Sequence, residues 1–223
     1  TYNIHKGLSQ FNRRLVLHDI REGLRGLGAD VAFLQEVQGK HERNARRHAL
    51  WPEISQHEFL THEGAHCVYG MNCVYQHGHH GNAFLSRFPI VTHENMDISA
   101  HAFESRGLLH CEVKLGPRRP ALHCLNVHLG LFERGRQWQI RALCERIRDT
   151  VPRDAPLIIA GDFNDWRHKA NRVLTDTLGV EEVFEAVRGR PARTFPSVMP
   201  VFRLDRIYAR GLRIVEAHVH YAY

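Results

Sequence analysis

Asp162 and Asn164 stand two residues apart in Gly161-Asp162-Phe163-Asn164, directly after the apolar run Leu157-Ile158-Ile159-Ala160. In extended geometry both side chains point to the same side, where a carboxylate can orient a water while an amide donates to a phosphoryl oxygen. Glu36 closes Phe33-Leu34-Gln35-Glu36 as a lone carboxylate, which suits Mg²⁺, a cation held by one or two carboxylates plus water. His128 ends Asn126-Val127-His128 and offers a donor to a phosphate or a leaving group. Asp205, between Phe202-Arg203-Leu204 and Arg206-Ile207-Tyr208, is placed to orient a histidine. Each has a plainer account when taken singly: an exposed strand-end acid, a Gly-Asp turn capping a helix, an ion pair with a neighbouring arginine. Four polar strand ends in one chain are harder to dismiss. Phosphate-ester hydrolysis needs such a set, because a cation, an activated water, donors to the developing charge and a stabilised leaving oxygen have to meet.

The elements that would position these groups follow from periodicity. Residues 1–5 read as a short strand. A helix over 14–27 has Val16, Ile20, Leu24 and Leu27 at helical spacing before Gly28 stops it. Residues 31–36 form a buried strand, 42–50 a polar helix, and strand-like segments recur at 67–69, 83–86, 91–96, 107–115 and 121–128. The turn Gly116-Pro117-Arg118-Arg119 makes the last two a hairpin, and counting back from it sets Cys111 opposite Cys124. A second amphipathic helix covers 135–148, a strand 157–160, a short helix 169–178, and strands 205–209 and 212–219 follow. Helices between buried strands, with an antiparallel middle, predict an α/β fold: a four-layer α/β/β/α sandwich of two mixed sheets flanked by helices. No linker or repeat divides residues 1–223, so one domain is expected.

Composition narrows the setting. With 223 residues, 43% of them hydrophobic, the chain can bury one large core, and no run approaches the ~18 apolar residues of a membrane span. Five cysteines without a C-x-x-C pair indicate neither a disulfide framework nor a zinc ribbon, which favours a cytoplasmic setting. The net charge of +6 suits an anionic partner, although lysine occurs only at 6, 40, 114 and 169, so arginine bias explains the charge equally well. Eighteen histidines include the run His77-Gly78-His79-His80 but no metal-binding helix pair, and read as surface or loop residues.

The order of the motifs resembles one family. Asn3-Ile4-His5, Leu34-Gln35-Glu36-Val37, Gly81-Asn82-Ala83-Phe84, Ser105-Arg106-Gly107, Asn126-Val127-His128-Leu129, Gly161-Asp162-Phe163-Asn164-Asp165 and Arg203-Leu204-Asp205-Arg206-Ile207-Tyr208 are similar to the ordered motif set of the endonuclease/exonuclease/phosphatase superfamily. The resemblance implies the same sandwich and a Mg²⁺-dependent phosphoesterase, with Mn²⁺ able to substitute. It makes Glu36 the principal metal ligand with Asn3 beside it, and has Asp162 position the water while Asn164 binds phosphate. His128 stabilises the transition state or leaving group, Asp205 orients a later histidine, and Asn82 and Arg106 support the phosphate pocket.

Two departures stand out. His77-Gly78-His79-His80 replaces a segment where relatives often carry an aromatic, and the family's late Ser-Asp-His motif does not occur after Asp205. The expectation is that the natural protein continues beyond Tyr223 with that motif, and that these residues alone hydrolyse weakly, His218 and His220 being poor substitutes. The substrate stays open. Arg-Leu-Asp-Arg-Ile-Tyr is similar to the family's enzymes that remove tyrosyl adducts from DNA 5′ ends, and the basic, aromatic stretch 40–51 suits nucleic acid. Leu131-Phe132 and Met199-Pro200-Val201-Phe202 suit a lipid head group instead. A non-catalytic anion-binding module would be expected to have lost Glu36, Asp162 or Asn164.

Overall fold

A computed structural model describes residues 1–9, 14–196 and 199–220. The expected edge at Tyr223 lies outside the described residues. Among the described residues ten strands form two sheets. The four-stranded sheet runs β1 (Tyr2–Asn3), β2 (Val31–His41), β4 (Gly78–Ser86), β3 (His66–Tyr75). The six-stranded sheet runs β5 (Ile90–Asp97), β6 (Gly107–Val113), β7 (Leu122–His128), β8 (Leu157–Asp162), β10 (Asp205–Arg210), β9 (Glu181–Glu182). Both are mixed: β1 lies parallel to β2, and β7 parallel to β8, while the other pairs are antiparallel.

The period-two alternation of the strands builds the layers. On β2, Phe33 faces the other sheet with Phe84 of β4, Leu109 and Cys111 of β6, Cys124 of β7 and Ala160 of β8. Its neighbour Leu34 turns outward with Ala83 and Leu85, onto helix α1 (Leu17–Leu27) through Leu17 and Ile20, and onto Leu60 of α3 (Gln56–Leu60). In the larger sheet Leu125, Val127, Ile159 and Tyr208 turn outward instead. They meet Ile140, Leu143 and Ile147 of α4 (Glu133–Thr150) and Leu174 of α5 (Lys169–Leu178). Three apolar interfaces between four layers are the expected sandwich.

Several boundaries move. The strand through Glu36 continues to His41, and the expected polar helix is the single short α2 (Glu42–Arg47). The His77–His80 run is not loop: Gly78, His79 and His80 start β4. Two short helices, α3 and α6 (Val183–Arg188), join the expected set. The strand expected at 212–219 does not form. Its apolar residues alternate, but it joins no ladder: β9 pairs with β10 at Tyr208 and Ala209, and Ala217 O accepts from the Arg188 guanidinium of α6 at 2.6 Å. Cys111 and Cys124 do sit opposite each other, and all five cysteines are free thiols.

Candidate active site

Register alone aligns three of the expected residues. His128 is the ladder partner of Asp162 on parallel strands, and Asp162 is the partner of Asp205 on antiparallel ones. The three side chains thus form a row across the ends of β7, β8 and β10. The smaller sheet brings its own pair to this edge. Asn3 lies beside Gln35 in the β1–β2 ladder, and the β2–β4 pairing shifts register between Leu34 and Val37. Glu36 sits in that bulge with φ 54°, and a bulge re-aims the side chain it carries. The Asn3 amide joins the two sheets, donating to Glu36 Oε1 at 3.5 Å and to Asp162 Oδ2 at 3.3 Å.

The sheets are held in this alignment by buried amides. Asn126 donates to the carbonyls of Leu34 (3.0 Å) and Ala83 (2.8 Å) and accepts from Gln35 Nε2 at 2.7 Å. Asn82 directs its amide at the carbonyls of Gly107 (2.9 Å) and Asn126 (3.4 Å). Its N–H groups are therefore spent on tying the sheets together, with none left to donate to a phosphate. Asn164, with φ 49°, gives one amide hydrogen to Leu129 O at 2.8 Å, while its backbone N–H donates to Asp162 Oδ1 at 3.0 Å. Arg106 lies 3.9 Å from Glu104 Oε1, and its Nε is buried without a hydrogen-bond partner. Glu104 is itself fixed by Gln139 Nε2 and Ala100 N.

Electrostatics divides the acids. Burial opposes the charge on Glu36, yet Lys6 at 3.3 Å, His128 and His5 hold its carboxyl down at about 2. Burial pushes Asp162 up to about 7, and the facing Asp205 carboxylate adds to the rise. Asp205 is raised too, again by burial, against the Thr194 hydroxyl that hydrogen-bonds it. Burial, with Arg106 beside it, holds the His128 imidazole neutral, its pKa down at about 3. The 3.7 Å approach of His128 Nε2 to Asp162 Oδ2 is accordingly a contact of a neutral ring rather than an ion pair.

Two buried carboxylates that oppose each other's ionisation, with an ionised third nearby and an amide between, are an oxygen-rich set. They fit a hard divalent ion such as Mg²⁺. Among the described residues no group of three His, Cys, Asp or Glu side chains is placed to hold a metal ion, so the donors that fit are Glu36 and the Asn3 amide completed by water, as a hydrated Mg²⁺ allows. His218, which turns to Glu216 at 3.1 Å, is not the partner of Asp205. Sequence reasoning missed Lys6, His5 and His80 at this edge. In Asn3-Ile4-His5-Lys6-Gly7 the backbone takes φ 46° at His5 and 62° at Lys6, which folds the chain back onto Glu36.

With this geometry in view, comparisons place the chain among known proteins. The family model described as "Endonuclease/Exonuclease/phosphatase family" matches residues 1–222. The uncharacterized protein YbhP of Escherichia coli K12 is 46% identical over 212 residues, covering 95% of this chain and 83% of YbhP. Among solved structures, truncated TDP2 of Caenorhabditis elegans matches with TM-score 0.67 at 18% identity, over 93% of this chain and 82% of that one. A mannosyl-6-phosphatase of Bacteroides thetaiotaomicron matches with TM-score 0.65 at 16% identity, over 86% and 75%. At these identities the two structures speak to the fold.

Proposed function

Because the chain belongs to the Endonuclease/Exonuclease/phosphatase family, whose members act on phosphate esters, we propose that it is a Mg²⁺-dependent phosphodiesterase that directs water onto phosphorus. The observation that carries this reading is the row His128–Asp162–Asp205 set against Asn3 and Glu36 of the other sheet. Glu36 and Asn3 would hold the metal, with Mn²⁺ as a substitute, and Asp162 and Asp205 close by. A divalent cation there neutralises charge on the phosphoryl oxygens and makes bound water more acidic.

The chain's own groups account for the rest. Asp162, fixed by the Asn164 backbone N–H, aligns the water and takes its proton as the new P–O bond forms and the bond to the leaving oxygen breaks. The free amide hydrogen of Asn164 and the Arg106 guanidinium donate to the phosphoryl oxygens, the charge that develops most. Neutral His128 donates an N–H to the departing oxygen or the transition state. Asp205 limits where Asp162 can lie and keeps the local field negative.

Hydrolysis should be followed on single-stranded DNA, 5′-adducted DNA, RNA, phospholipids and phosphomonoesters, with Mg²⁺ and with chelator. We expect metal-dependent turnover that Glu36→Gln lowers about 10²-fold or more, together with weaker Mg²⁺ binding, as loss of an anionic ligand requires. Wild-type rates in that variant, insensitive to chelator, would refute the assignment.

A nucleic-acid substrate is the first reading, given the net charge of +6 and the arginines of α2. A lipid head group is the second. One observation favours it: the loops bearing the site residues expose large apolar side chains, Phe103 at 99%, Phe132 at 73% and Met199 at 72%. Exposed apolar side chains on these loops would suit contact with a lipid surface.

A further inference from the structure

Beside the row of acids lies a cavity of about 490 Å³ between α2, the turn His5–Gly7 and the nearby ends of β2, β3 and β4. The described residues that line it include Lys6, His41, Arg47, His48, Tyr75 and His80. None of its described lining residues is an aspartate or glutamate. The cavity adjoins the candidate centre through Lys6, whose Nζ is 3.3 Å from Glu36 Oε2.

The hydrogen bonds around it use up acceptors and leave donors. His41 caps α2 by accepting the Asn44 N–H on Nδ1 at 3.0 Å, so its proton resides on Nε2. Burial lowers the pKa of that ring. Tyr75 Oη accepts from Gln38 Nε2 at 2.9 Å, which frees its own O–H to donate. Gln38 Oε1 accepts in turn from Asn44 Nδ2 at 3.3 Å. Arg47 is exposed on α2, and among the described residues its guanidinium has no carboxylate partner. A cavity lined by Arg47, by Lys6, which it shares with Glu36, and by oriented N–H and O–H donors, with no carboxylate in its described lining, suits a compact, multiply charged anion.

We propose that this cavity binds a second, non-scissile phosphate group of the substrate, so that the enzyme acts on esters carrying two phosphates within one small molecule's reach. The inference rests on the phosphoesterase reading for the identity of the reacting group, but phosphate binding in the cavity does not depend on turnover. Lys6 serves both places, and its charge would link occupancy of the cavity to the state of Glu36.

The test begins with inorganic phosphate titrated calorimetrically into chelator-treated protein at low ionic strength. Saturable binding is expected, weakened about tenfold or more in Arg47→Ala, the loss of one charge-assisted hydrogen bond, and partly retained in Arg47→Lys. Tyr75→Phe, which keeps the ring and removes one donor, should weaken it by less. Absent binding, or equal affinity in the wild type and Arg47→Ala, would overturn the proposal even if hydrolysis is metal-dependent. The source of the phosphate is read from matched substrates with Mg²⁺. One pair is thymidine 5′-(4-nitrophenyl phosphate) with and without a 3′-phosphate; the other is glycerophosphoinositol with and without a ring phosphate. The bisphosphate of one pair should show the higher kcat/KM, through KM, and Arg47→Ala should erase that ratio. No preference in either pair would overturn the proposal as well, whereas chelator-insensitive or absent turnover accompanied by Arg47-dependent phosphate binding would reject the catalytic reading alone.

Discussion

Five non-glycine residues among those described take positive φ: His5, Lys6, Glu36, Asn164 and His168. Four of them lie at the candidate centre. Such backbone costs of order 1–3 kcal/mol per residue and persists where surrounding structure over-determines it. Here the bulge, the turn and the hydrogen bonds of Asp162 do so, and the strain coincides with the acids the reaction would use. Burial acts on other residues for stability alone. His110 and His123 lie across the β6–β7 ladder from the centre, Nε2 to Nδ1 at 3.1 Å. Burial, then the facing His123, holds His110 down at about 4, and burial lowers His123 as well. Between about pH 4 and 6.5 the unfolded chain therefore binds more protons at these rings than the folded one, so their contribution to stability is complete above 6.5 and declines as pH falls toward 4. The difference in urea midpoint between the wild type and the His110→Gln/His123→Gln protein should change in that direction across this window and be level above it. Taking the difference cancels the carboxylates, of which Asp162 runs the opposite way. A difference that is constant from pH 4 to 7 would show that these rings are not buried neutral.

At the scale of elements, Asp162 is positioned by the strand pair that carries it. Gly161 precedes it with φ 151°, and a Cβ there would overlap the Val127 carbonyl across the β7–β8 ladder. Gly161→Ala should cost about 1–3 kcal/mol or more in urea unfolding. It should also lower turnover per folded molecule, because parting β7 from β8 separates His128 from Asp162. An unchanged midpoint would mean that the pairing tolerates the methyl group. The strand that ends at this glycine was legible in Leu157-Ile158-Ile159-Ala160, as was Phe33-Leu34-Gln35-Glu36, since buried strands read as apolar runs. The bulge was not. The single extra residue on β2, which sets Gln35 and Glu36 opposite Asn82 alone, is a property of the ladder rather than of local hydrophobicity, so nothing in Gln35-Glu36-Val37 announced it. The alternating segment 212–219 misled for a complementary reason: alternation states which face is apolar, whereas a strand also needs a paired neighbour, and here Ala217 O accepts from Arg188 of α6 instead. Helices as short as α3 and α6 carry too few turns to show a period, and the Lys6–Glu36 approach depended on backbone at φ 62° that no pattern encodes.

For the molecule as a whole, the candidate centre belongs to neither sheet. Asn3 and Glu36 come from the four-stranded sheet and His128, Asp162 and Asp205 from the six-stranded one, joined at this edge by the Asn3 amide and further in by Asn126. The Asp205 carboxylate opposes the ionisation of Asp162 across the β8–β10 ladder, a repulsion present in the folded state only. A ligand that binds the folded chain and not the unfolded one stabilises it by mass action, about 2.7 kcal/mol at a hundred times its Kd. A cation at the centre would also relieve that repulsion. Mg²⁺ at such an excess should therefore raise the unfolding midpoint by roughly 5–10 °C in a domain of this size. Asn126→Ala should lower the midpoint with and without Mg²⁺ while leaving a Mg²⁺-dependent rise, since it loosens the joint between sheets without removing a ligand. Glu36→Gln should shrink the rise itself. Thermal unfolding with Mg²⁺ and with chelator separates these effects, and an equal Mg²⁺ shift in wild type and Glu36→Gln would place the ion somewhere other than between the two sheets.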